Sequence, residues 1–155
     1  MSNEMILMLH PTFGVLALVS AVWVFVETLN VREANAGRIR NVGALTAILM
    51  WLAYIAGGYW YVSFYAGDKA IINAGPWPFA HSFFMETKEH VFLMLLLLTT
   101  FLAIAVRGEI VKSQSSQRLI LWVSGLIVLM TLATEGAGAF VSMGVKVAML
   151  AKQAS

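Results

Sequence analysis

The chain contains no cysteine. Disulfides, iron–sulfur clusters and thiolate metal sites are therefore excluded, and nothing marks the redox compartment. It holds a single aspartate, Asp68, and no Ser-His-Asp spacing stands out, so hydrolytic chemistry is poorly supported. Charge is scarce, at 12% of 155 residues with a net +2, too little to favour a nucleic-acid partner. Three histidines cannot ligate two bis-histidine haems, because those need four. The start, Met1 to Glu4, has no basic segment, so no cleaved signal peptide is expected.

What the chain has is apolar surface: 60% hydrophobic residues and a mean hydropathy of +0.81. A soluble domain of this length could not hide so much of it, and the length suits one domain, here a single integral membrane domain over 1–155. Four runs lack Asp, Glu, Lys and Arg: Met5 to Val26, Asn41 to Gly67, Val91 to Val106 and Leu119 to Thr134. A spanning helix needs roughly 20 mainly apolar residues. The first two runs suffice. The third extends back through His90 towards Pro78, and the fourth forward through Glu135 to Val145. The expected fold is all-α, a transmembrane four-helix bundle with spans over 5–29, 41–65, 80–107 and 118–145.

Charge placement sets the expected topology. Arg32, Arg38, Arg40, Arg107, Lys112 and Arg118 lie on one side, and Lys69, Lys88, Lys146 and Lys152 on the other. The positive-inside rule then gives an up-down-up-down protein with both termini outside, multi-pass in a bacterial inner membrane. Tyr59, Trp60, Tyr61, Phe64, Tyr65 and Trp77 gather where the outer aromatic belt belongs.

Ionisable residues inside a membrane are costly and are functional by default. Measured from the basic edge, His90 stands ~25 Å above Arg107, Glu135 ~25 Å above Arg118 and His10 ~33 Å above Arg32. Three helices thus deliver polar groups to a similar depth. On an unbroken helix from Pro78, Glu86 and His90 share a face, and Glu86 neighbours Glu89. His81 falls on the opposite face, nine residues from His90. The expectation is that His90 points into the bundle to meet His10, and that His81 points to the outer surface. Pro11 either starts the first helix or interrupts one that begins near Asn3. The Glu135-Gly136-Ala137-Gly138-Ala139 stretch lets a helix or a flat cofactor come close, and helix packing alone is the simpler reading.

Leu9-His10-Pro11 at one end, and Gly136 to Gly144 with Val145-Lys146-Val147 at the other, resemble a family of small four-span bacterial membrane proteins known only as domain of unknown function 2231. Val15 and Met143 stand where members of that family often carry further histidines. The resemblance implies four spans and a redox role.

Three functions compete. In the first, His10 and His90 ligate one haem b that exchanges electrons with quinone or an extracytoplasmic cytochrome; Gly136 and Gly138 face the ring, and Glu86 or Glu135 serves a quinone or proton site. The second is a non-haem metal site on His10, His90, Glu86 and Glu135, suited to zinc, iron or copper. The third is a cofactor-free structural or assembly subunit of a membrane complex. Partners are then the lipid bilayer and either other subunits of a membrane redox complex or further copies of the chain. A transporter is weakly supported, because no charged path crosses the bilayer.

Overall fold

A computed structural model describes residues 3–154, with side chains from Met5 onward. Met1 and Ser2, at the start read for a signal peptide, lie outside the described residues. Helix α1 covers Asn3–Thr28, α2 Glu33–Ala74, α3 Glu86–Ala105 and α4 Gln114–Ala154. A π-helical stretch, Ala80–Met85, runs directly into α3. No strand occurs among the described residues. A helix closes its backbone hydrogen bonds within itself, which hydrocarbon demands. Four helices are long and apolar enough to cross a membrane, as the four charge-free runs predict, over Met5–Thr28, Glu33–Ala74, Ala80–Ala105 and Gln114–Ala154.

The helices exceed the apolar runs. With 42 and 41 residues, α2 and α4 are each ~60 Å long, about twice the hydrocarbon thickness. A run free of charge marks only the part of a helix that lipid can cover. Helix α1 runs continuously from Asn3 with Pro11 inside it, so the helix begins near Asn3 and not at Pro11. Pro11 supplies no N–H to the Leu7 carbonyl.

The α1–α2 and α3–α4 connections lie together at the end that carries the arginines. Arg40 donates from α2 to the carbonyls of Val106 and Gly108, at 3.3 and 3.4 Å. Glu27 ties the end of α1 to the start of α2. Arg38 Nε lies 2.7 Å from one carboxylate oxygen, and Asn35 Nδ2 donates to the other at 2.8 Å. Asn35 also accepts from the Arg32 backbone N–H at 2.8 Å, closing the first turn of α2. Glu27 is thus used in holding a turn.

Two apolar cores are stacked along the bundle. The larger contains Ala17, Ala21, Val24, Met50, Ala53, Phe92, Leu95, Leu102, Ile120 and Ile127. The smaller contains Tyr65, Ile72, Ala80 and Val141. Small residues bring the π-helical stretch onto α4: a Cβ added at Gly144 would fall 2.6 Å from the Ala80 Cβ. Between the two cores lies a gap where polar groups of three helices meet: His10 of α1, Lys88 of α3 and Glu135 of α4.

Candidate functional site

The gap is organised around His10. Its Nδ1 lies 2.9 Å from the carbonyl oxygen of Ala53 on α2. A carbonyl only accepts, so Nδ1 carries hydrogen, and in the neutral ring Nε2 holds the lone pair. Nε2 faces Lys88 Nζ at 3.2 Å. An ammonium only donates, so Lys88 gives a proton bond to a neutral imidazole. The carboxylate of Glu135, on α4, lies within electrostatic reach of Lys88. One acid therefore balances one ammonium, with the imidazole as the third member. The three residues come from α1, α3 and α4, and α2 supplies the carbonyl.

Glycines make room for each member. A Cβ at Gly57 would sit 2.5 Å from His10 Nδ1, and one at Gly138 would sit 2.9 Å from Lys88 Nζ. One at Gly14 would collide with Glu135 Oε1. Three helices thus leave out a side chain where a neighbour's polar group must lie, and close approach is what glycine permits. Phe92 closes the site from the larger core, its ring 5.8 Å from that of His10, and Tyr54 stacks on Phe92 at 5.9 Å. Lys88 stands ~28 Å along α3 from Arg107, and Glu135 ~25 Å along α4 from Arg118.

The structure does not bring His10 and His90 together. His90 is exposed, and its Nδ1 donates to the Glu86 carbonyl one turn back, at 2.7 Å. Glu86 and Glu89 are exposed beside it. His81, expected to point outward, is 5% exposed in the smaller core, with Nδ1 3.1 Å from the Tyr65 hydroxyl. His81 is thus the buried histidine and His90 the exposed one, the reverse of the expectation. The reason is helical phase. Lys88 is two residues from His90, about 200° around the helix, and Lys88 is the group the bundle takes in. The expectation of an unbroken α-helix also fails, because Ala80–Met85 is π-helical.

Glu135 is partly buried at the site, as its depth predicts. Gly138 faces Lys88. Gly136 is exposed and has open space where its Cβ would stand, so nothing in this chain packs on it. No group of three or more metal-ligating side chains is assembled among the described residues. Lys88 is the member that sequence reasoning passed over. The sequence carried no signal for it: a seven-residue spacing puts it on the face of His81, a residue expected to point outward.

No family model, curated protein or solved structure matches the chain.

Proposed function

We propose that the protein exchanges protons at its His10–Lys88–Glu135 site on behalf of a membrane electron-transfer complex. In this reading it is threaded up-down-up-down through a bacterial inner membrane, with both termini outside and the site in the outer half. The observation that carries the reading is the 3.2 Å approach of Lys88 Nζ to His10 Nε2. A lysine, a histidine and a glutamate converging between two apolar cores are costly for stability alone, and such groups mark proton relays in membrane proteins. Lys88 links the two groups that gain and lose protons. A proton taken up at His10 Nε2 displaces the ammonium there and forms an imidazolium; Lys88 then gives one proton to the Glu135 carboxylate, leaving a neutral amine and a carboxylic acid. A quinol oxidised by the complex would supply such protons from within the bilayer.

The experiment is an infrared difference spectrum, acid minus alkaline, of the purified protein in lipid nanodiscs. A protonated-carboxyl band that disappears in Glu135→Gln and shifts in Lys88→Met supports the reading. A spectrum unchanged by both substitutions removes it.

Haem b is the second reading, and one observation favours it. With Nδ1 of His90 held by a backbone carbonyl, Nε2 is left as a ligand on the bundle's exposed face. Within one chain His10 does not supply the opposite ligand, because its Nε2 faces Lys88. The second ligand would come from another subunit or a second copy. An absorption spectrum decides: a haem band that His90→Ala abolishes supports this reading, and a colourless protein reconstituted with haem ends it.

A further inference from the structure

Tyr65 and His81 meet in the smaller core, away from the proton site and unused by it. Tyr65 is 2% exposed, and its hydroxyl lies 3.1 Å from His81 Nδ1. Two features make this more than a satisfied core hydrogen bond. The first is how His81 arrives. It sits in the π-helical stretch Ala80–Met85, a rare geometry frequent at functional sites, and its ring lies 5.7 Å from that of Tyr65, where an apolar side chain would serve packing as well. The second is the company of Tyr65. Its ring lies 5.1 Å from that of Tyr61, stacked, and 5.6 Å from Trp60. Tyr61 and Trp60 are only partly buried, so the rings form a short aromatic path from the core to the surface of α2.

We propose that Tyr65 is a proton-coupled one-electron donor, with His81 as the base that takes its proton. With the phenol donating, His81 Nδ1 is the acceptor and the ring hydrogen sits on Nε2. One electron leaves the Tyr65 ring through Tyr61 or Trp60 to an outer-sphere metal-complex oxidant. The O–H bond breaks and the proton moves to Nδ1. The products are a neutral phenoxyl radical, an imidazolium and the oxidant reduced by one electron. Re-reduction returns the proton along the same hydrogen bond. The pair gains one positive charge, and the carboxylates of Asp68 and Glu89 lie within electrostatic reach of Tyr65 to balance it. The phenol without its base would have to form a cationic radical in an apolar core, which burial opposes. The proposal stands independently of the proton site.

The test uses the full chain in nanodiscs and a flash-generated ruthenium(III) polypyridyl oxidant, with phenoxyl absorption and electron paramagnetic resonance as readouts. The chain has four tyrosines, so Tyr54→Phe, Tyr59→Phe and Tyr61→Phe together leave Tyr65 alone. This single-tyrosine protein should form the phenoxyl radical, and Tyr65→Phe should lose most of the wild-type signal. His81→Gln should slow radical formation about 100-fold, the lower range for loss of a positioned base. Each Tyr→Phe change keeps the ring stacking, and circular dichroism checks each fold. Undiminished radical yield in Tyr65→Phe, no radical in the folded single-tyrosine protein, or an unchanged rate in His81→Gln would each overturn the proposal.

Discussion

Lys88 Nζ lies 3.2 Å from His10 Nε2, joining the third helix to the first between the two apolar cores. The contact has a direction. Ala53 fixes the hydrogen on Nδ1, so the imidazole presents a lone pair to a group that only donates. Neither partner is replaceable by a residue of similar size without losing that match.

Lys88→Met should destabilise the protein by about 1–3 kcal/mol, because it takes the donor from His10 Nε2 and leaves the partly buried Glu135 without its nearby ammonium. The ammonium is lost, but the Glu135 carboxylate stays in place. Adding Glu135→Gln should recover part of the loss, with a coupling of about 0.5–3 kcal/mol between the two positions. Denaturant titration in mixed micelles measures all three variants. Simple additivity would show that the two groups do not interact.

The glycines should separate by sign. Alanine normally improves a helix by about 0.5–1 kcal/mol over glycine. Gly58→Ala and Gly136→Ala, where the added Cβ meets open space, should show that gain or no change. Gly57→Ala and Gly14→Ala place a methyl where His10 and Glu135 lie, and should cost about 1–3 kcal/mol through overpacking. Melting temperatures in one detergent suffice. Equal behaviour at Gly57 and Gly58 would show that His10 is not held against α2.

The two remaining histidines should also differ. His90→Ala removes an exposed side chain and should stay within about 0.5 kcal/mol of the parent. His81→Ala strands the buried Tyr65 hydroxyl and should cost about 1–3 kcal/mol, and Tyr65→Phe added to it should be nearly neutral. Thermal unfolding of the four proteins checks this. A larger loss at His90 than at His81 would reverse the placement of the α3 face.

The four helices long and apolar enough to cross a membrane were legible because charge-free length alone identifies them. The common depth of His10 and Glu135 was legible too, from distances to the basic edge. The inward face of α3 was not. Leu93, Leu97, Phe101 and Ile104 face outward, and Phe92, Leu95, Leu96 and Leu102 face the core. Lipid accepts the first set as readily as the interior accepts the second, so apolar periodicity carries no sign. Histidine then looked the natural inward group, and Lys88 a group for the surface. Nor did the sequence reveal the π-helical stretch: Ser82 to Met85 contains neither proline nor glycine. The glycine vacancies depend on which helices become neighbours. Gly14, Gly57 and Gly138 acquire a purpose only beside Glu135, His10 and Lys88.

The most direct measurement is nitrogen-15 nuclear magnetic resonance of histidine-labelled protein in lipid, with His81 and His90 assigned by substitution. At neutral pH, His10 should show a protonated Nδ1 and a bare, hydrogen-bonded Nε2 whose resonance moves in Lys88→Met. An Nε2-protonated tautomer, or an Nε2 resonance indifferent to Lys88→Met, would contradict the account.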